Sequence, residues 1–262
     1  MDDASHSLIV LWLRDPGWTT LLILGAGYTA VALILHWLSF GRPFARLADG
    51  YRGVVPPYLA SPAMVFALMT AFLSNAVVGM NRDAERAVQQ ERDGATAIIQ
   101  FADIVPAAHD LHRLTEIYIR TVLDREWYHP RDFAPGDAAL RALTEAVLAL
   151  PTRAAVPPMV PAQLLREVRE IGSARSIRRG IVESHADEIP WLSVLLLGVL
   201  TQVGIAVVQL DKRKPQALAL AVTTASIIVV LGLIALMERP FDGMHVVSSA
   251  PLQRVLLAGE GR

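Results

Sequence analysis

The chain has 262 residues, of which 53% are hydrophobic and 19% charged, with a mean hydropathy of +0.40 and a formal net charge of −1. That balance is greasier than a soluble domain's, and a near-neutral chain offers no basic surface for nucleic acid, so that partner class is excluded. There is no cysteine, hence no disulfide, thiolate metal ligand or thiol nucleophile.

Residues 1–18 form an N-terminal flank. It opens Met1-Asp2-Asp3, without the basic start or small-residue cleavage site of a signal peptide, so the first apolar segment is expected to be retained. That segment, residues 19–40, contains no Asp, Glu, Lys or Arg. About 20 such residues span a bilayer core. Trp18 and Trp37 bracket it roughly 28 Å apart at helical rise, which suits two interfacial aromatic belts. A second charge-free run covers residues 57–80. The third, 190–209, opens with Pro190 at the first helical position and Trp191 at the interface. The fourth, 216–237, stops at Glu238-Arg239-Pro240. The fold class is therefore all-α: four transmembrane helices, two in residues 19–80 and two in 189–239, with a helical extramembrane domain over 81–188 and a tail over 240–262.

The second span is expected to run on beyond the membrane. Ala84, Val88, Gly94, Ala95, Ile98, Ala102 and Val105 continue an apolar seam spaced by three and four, with no breaker before Pro106. Three more helices are predicted. Residues 107–127 carry the seam Leu111, Leu114, Tyr118 and Val122. Residues 136–150 carry Leu140, Leu143, Val147 and Leu150. Residues 161–185 carry Leu164, Val168, Ile171, Ala174 and Ile181. Pro130, Pro135, Pro151, Pro157 and Pro158 mark the turns. The arginines Arg166, Arg169, Arg175, Arg178 and Arg179 gather on the last of these helices. They read as a solvated or interhelical pairing surface, with acids such as Glu85, Glu91 and Asp93 as partners across helices, in preference to an anion-attracting vestibule.

Orientation follows from the short loops. Arg42, Arg46 and Arg52 join the first two spans, and Lys212, Arg213 and Lys214 join the last two. The positive-inside rule places both loops in the cytoplasm, which leaves the termini and the 81–188 domain outside.

Several motifs fail on context. Gly25-Ala26-Gly27-Tyr28-Thr29-Ala30 fits a dinucleotide fingerprint, with Asp49 as the later acid, but it lies inside a membrane span, so close helix packing is the expected use. His109 and His112, with Asp103 and Glu116, read as a solvated polar face and not as a metal site. G-x-S-x-G, Walker and H-E-x-x-H motifs are lacking, so neither catalysis nor a cofactor is expected.

In the second span, Ala63, Ala67, Thr70, Ala71, Ser74 and Val78 form a stripe of small and hydroxyl residues. Such a stripe allows close helix approach. Around a symmetry axis it would instead line a narrow pore, with Phe66, Leu73 or Val77 as apolar constriction. The intramembrane polar residues Asn75, Thr201 and Gln202 should face protein or water, because hydrocarbon penalises them. His36, one turn from the interface, is expected to snorkel.

Ordered motifs between residues 61 and 252 carry a resemblance. They are Ala84-Glu85-Arg86-Ala87-Val88-Gln89-Gln90-Glu91, Tyr118 followed by Glu126-Trp127, Arg178-Arg179 ahead of Ile189-Pro190-Trp191, Leu195-Leu196-Leu197-Gly198, and Arg239-Pro240-Phe241-Asp242-Gly243. On these the chain resembles a bacterial bestrophin-like membrane family. The resemblance implies kinship with bestrophins, homopentameric anion channels whose second membrane helix lines the pore and whose helical insert lies in the cytosol. It departs from them at Asn81-Arg82-Asp83-Ala84-Glu85, where bestrophins carry an aromatic and arginine cluster. The reading that follows is a homo-oligomeric ion channel or pore in the bacterial inner membrane, in contact with lipid, copies of itself and inorganic ions, anions among them. The alternative is a membrane-anchored sensory or protein-interaction module that does not conduct.

Overall fold

The structure, a computed structural model, describes residues 17–41, 56–127, 132–153, 157, 159–183, 188–241 and 246–260. Among these residues the regular secondary structure is all helical, with no strand. Four helices are long and apolar enough to cross a membrane. The loop residues Arg42, Arg46, Asp49 and Arg52, the turn prolines Pro130 and Pro158, and Asp242 and Gly243 lie outside the described residues. Two compact units divide the chain, Met1–Val78 with His185–Glu238, and Gly79–Ser184 with Arg239–Arg262.

The first unit is built from α1 (Gly17–Phe40), the first part of α2 (Pro56–Ile104), α6 (Glu188–Val208) and α7 (Arg213–Met237). Its interior is a thin seam of Leu24, Tyr28, Leu73, Val77, Trp191, Val194, Ile227 and Leu231. Large apolar side chains point outward around it, among them Leu22, Leu33, Phe72, Leu218 and Leu233. This inside-out distribution is what a lipid solvent requires. Trp18 and Trp37 are exposed, as interfacial belts need, but Trp191 is fully buried. It is a core residue, because α6 starts at Glu188 and the ring falls on the face that packs inward. Gly25 and Gly27 have open space where a Cβ would stand, so the close packing expected of them does not occur within this chain. Close approach is made at Gly198, where a Cβ would sit 2.4 Å from the Tyr28 hydroxyl. Its bare backbone lets Tyr28 cross to α6 and donate to the Leu195 carbonyl at 2.9 Å.

The second unit contains the rest of α2, a 3-10 turn (Pro106–Ala108), α3 (His109–Thr121), a π turn (Val122–Glu126), α4 (Ala134–Arg153), α5 (Met159–Glu183) and α8 (Ala250–Glu260). At 49 residues α2 is one helix, more than twice the length a bilayer core asks for. It stops at Ile104 because Val105 precedes Pro106 and is pushed to extended backbone, φ −105° and ψ 102°. The expected seam is buried: Ala84, Val88, Gly94, Ala95, Ile98 and Ala102 face Leu111, Tyr118, Leu143, Val147, Leu164 and Ile171. The reading of 107–127 as one regular helix misses the π turn, where Trp127 N–H reaches the Val122 carbonyl at 2.9 Å, five residues back. Residues 240–262, read as a tail, contain α8, and its Leu252 and Val255 join the same core.

Candidate functional site

Within the first unit, α2 has two unlike sides. Phe66, Met69, Leu73 and Val77 pack on the interior of their own chain, and Thr70 is buried beside them with its hydroxyl unpaired. Met64, Leu68 and Phe72 stand on the opposite side, spaced four apart and each more than half exposed, with exposed Ala67, Ala71 and Asn75 next to them. Ala63, Ser74 and Val78 occupy the flank between the two sides and are half-buried. The stripe expected from sequence is thus divided. Ala67 and Ala71 are outward, Ala63, Ser74 and Val78 are marginal, and Thr70 and Phe66 are turned inward with Leu73 and Val77.

Apart from Thr70, the buried polar side chains of the spans are held by their own chain. Gln202 donates to the Thr224 hydroxyl at 2.7 Å and to the Tyr28 carbonyl at 3.2 Å. Thr201 donates back to the Leu197 carbonyl at 2.8 Å. Gln216, which sequence reading passed over, is fully buried; it donates to the Ala206 carbonyl at 2.6 Å and to Ser39 at 3.0 Å. Its amide oxygen lies 2.9 Å from His36 Nδ1. An amide oxygen only accepts, so Nδ1 carries the hydrogen and Nε2 accepts from Arg213 Nε at 3.4 Å. His36 is a bridge between α1 and α7, where snorkelling was expected.

The second unit encloses a cluster of charges. Arg175 and Arg178, four per cent exposed or less, are one α-helical turn apart on α5. Arg175 grips Glu126 with two parallel bonds of 2.8 and 2.9 Å and reaches Asp137 at 2.8 Å. Arg178 bridges Glu126 at 2.9 Å and Glu91 at 3.0 Å, and Arg179 pairs with Asp137. The Tyr118 hydroxyl donates to Glu91. The guanidinium of Arg178 lies 5.4 Å from the Trp127 ring centre, and that of Arg179 lies 4.9 Å from the Phe133 ring centre. Burial, and then the Glu91 carboxylate, hold the Tyr118 phenol well above its ordinary range. Burial pushes Asp137 up, but hydrogen bonds from Arg175 and Arg179 outweigh it and hold the carboxyl below its ordinary value.

Local sequence explains this assembly. The π turn rotates Glu126 onto the buried side, and Gly136 N–H caps its carboxylate at 3.0 Å. A Cβ on Gly136 would fall 2.1 Å from that oxygen, so glycine alone fits. The arginines were legible as a paired surface and Glu91 as one partner. Glu126 and Asp137 were not; the pairs are interhelical, those of Arg175 and Arg178 with Glu126 and Glu91 interior, and that of Arg179 with Asp137 partly exposed. Arg166 and Arg169 are exposed, as are Glu85 and Asp93. His112 bonds Asp103 at 2.7 Å and lies 3.5 Å from Glu116. Three carboxylates face three guanidiniums, so the cluster is self-neutralising and suited to fixing helices.

The Bestrophin-like domain family model matches residues 26–252. Among solved structures, a bacterial Bestrophin homolog from Klebsiella pneumoniae, in a point-mutant form, superposes with a TM-score of 0.72 at 11% identity, covering 90% of this chain and 99% of that one. A second mutant form of the Klebsiella pneumoniae homolog gives 0.70 at 12% identity over 98% of this chain and 100% of that one. A structure described only as a membrane protein gives 0.74 at 11% identity over 93% and 99%. No curated protein sequence matches the chain. The fold is shared over nearly the whole length, and the family match covers most of it: the chain belongs to the Bestrophin-like domain family.

Proposed function

We propose that the protein is a homo-oligomeric ion channel of the bacterial inner membrane, with α2 lining the conduit and no catalytic role. The observation that carries this reading is the two-sidedness of α2. One side is consumed by its own chain, while Met64, Leu68 and Phe72 project from the other, with Ala67, Ala71 and Asn75 alongside. Copies arranged about an axis with that side inward would form an apolar constriction ending in a ring of amides, and narrow apolar rings gate by dewetting. Ser74 and Val78 would sit at the flank where neighbouring copies meet the lumen, while Ala63, nearer the start of α2, faces the groove toward α6 and α7. Phe66 and Thr70 support the wall from behind. Membership of the family supports the channel class, and the basic Lys212-Arg213-Lys214 turn supports a cytoplasmic loop with the helical insert outside.

Purified protein reconstituted into planar bilayers tests the proposal. Phe72→Ala should raise unitary conductance, and Asn75→Asp should shift selectivity toward cations, since each copy adds a negative charge to the ring. The mass of the protein in nanodiscs should be that of a closed ring of copies. Silence across voltage, salt and pH, with a monomeric or dimeric mass, would favour the membrane-anchored interaction module. A single cysteine at exposed Ala142, in a chain with none of its own, reports orientation through an impermeant thiol reagent. Labelling in intact cells supports an outside insert; labelling only after lysis reverses it.

A further inference from the structure

The first unit holds a groove of about 550 Å³ between α2, α6 and α7, within the size range of small-molecule sites. Small residues carve it: Ala60 and Ala63 on α2, Gly204 on α6 and Ala219 on α7. Its wall is overwhelmingly apolar. The Thr201 hydroxyl at its inner end is already spent on the Leu197 carbonyl. The outer end is bounded by Gln209 and Pro215, the two sides of the turn that carries Lys212 and Lys214. Both lysines are exposed, and neither has an ion-pair partner among the described residues.

We infer that this groove binds the acyl chain of an anionic phospholipid whose phosphate is held by Lys212 and Lys214. Two features select this occupant. The first is depth. From Gln209 back to Thr201 on α6, and from Pro215 on to Thr223 on α7, the lining advances eight residues, about 12 Å of helical rise. One leaflet of hydrocarbon is about 15 Å deep, half of the roughly 30 Å core. The groove therefore fits one lipid tail entering from one surface, whereas a helix from a second copy would press along the full core. The second is charge. The open end of the groove lies at the exposed turn Asp211-Lys212-Arg213-Lys214, a net basic segment whose two lysines have no ion-pair partner among the described residues, and basic residues next to a span attract anionic lipid. A neutral headgroup would gain the groove but not the lysines.

Native mass spectrometry of the full chain, in detergent with equal phosphatidylglycerol and phosphatidylcholine, reads the site. The wild type should retain phosphatidylglycerol in preference. Lys212→Gln with Lys214→Gln should cut that preference about 25-fold while leaving total lipid bound unchanged, as each near-surface basic residue is worth about fivefold. Ala219→Phe projects into the groove and should remove one retained lipid per copy of either headgroup. Exposed Leu218→Trp at the rim provides the same reading if Ala219→Phe does not fold, and helicity by circular dichroism separates the cases. Val230→Ala, exposed on α7 away from the groove, should change nothing. Equal retention of the two lipids by the wild type, or undiminished lipid in the filled variants, would overturn the inference. So would displacement of phosphatidylglycerol by millimolar inorganic phosphate, which would mark a simple anion site. A changed oligomer mass in the filled variants would also overturn it, assigning the groove to a second copy. None of these outcomes depends on whether the protein conducts.

Discussion

The two units of this chain solve the problem of buried polarity in opposite ways. In the membrane unit, the interior polar groups are neutral, and Gln202, Gln216, Thr201 and Thr224 are each tied to a nearby hydroxyl, amide or carbonyl. In the other unit, Glu91, Glu126, Arg175 and Arg178 are all at most four per cent exposed, and full charges interlock. The apolar residues are reversed as well. Leu, Ile and Phe coat the outside of the first unit and fill the inside of the second. The difference teaches what the solvent permits. Hydrocarbon makes an ion too costly unless it is functional, so the spans are joined by amides. A water-facing domain can bury a closed ring of charges, provided that every member is paired, and the ring then fixes one arrangement of helices.

The largest way to break that contrast is to open the ring. Arg175→Ala removes both parallel bonds to buried Glu126, which keeps only Arg178, and should destabilise the second unit by about 3–5 kcal/mol, the cost of breaking a buried ion pair. Hydrogen-exchange mass spectrometry on the full chain should show the loss in peptides of α3 to α5 and leave α6 and α7 protected. Next comes Gly136→Ala, whose Cβ collides with the Glu126 carboxylate and the Arg175 guanidinium, for about 1–3 kcal/mol by overpacking. In the membrane unit, Gln202→Leu removes two hydrogen bonds and should cost only about 1 kcal/mol, because polar contacts in membranes are individually modest. Thermal unfolding in one detergent can rank these variants. An Arg175→Ala effect no larger than that of Gln202→Leu would remove the contrast.

The smallest effect is a pH limb. The Tyr118 phenol titrates above its ordinary value when folded, so the folded state binds its proton more tightly than the unfolded chain does. Its contribution is complete below the ordinary tyrosine range, near pH 10, and is lost as pH rises beyond it. Exchange rates in the second unit should accelerate on that alkaline side, and Tyr118→Phe should flatten the rise.

How much of this was legible depends on which physical signal each feature leaves. The four spans were, since a charge-free run of bilayer length suits hydrocarbon and little else. The extension of α2 was, since its seam continues to Pro106 unbroken. The π turn was hidden because Val122 keeps the three-four spacing of Leu111, Leu114 and Tyr118; one extra residue per turn shows only afterwards, as a Glu facing inward. Glu126 and Asp137 were hidden for the same reason, since an acid in a polar stretch reads as solvated until a distant arginine is brought to it. The seam Leu252, Val255 and Leu256 was a real signal for α8, obscured by its short length beside the long spans. On α2 the type of helix was legible but not its facing. The small-residue stripe lies beside the exposed side, and only packing shows that Thr70 and Phe66 turn inward while Leu68 and Phe72 turn out.

That facing is the central claim, and a cysteine-free chain makes it directly measurable. Single cysteines placed along α2 of the reconstituted protein, treated with a charged water-soluble thiol reagent during recording, report which side meets the proposed conduit. The account predicts that cysteines at Leu68, Phe72 and Asn75 react and change the current, while those at Leu73 and Val77 stay protected. Reaction at Leu73 and Val77 with silence at Leu68, Phe72 and Asn75 would contradict it.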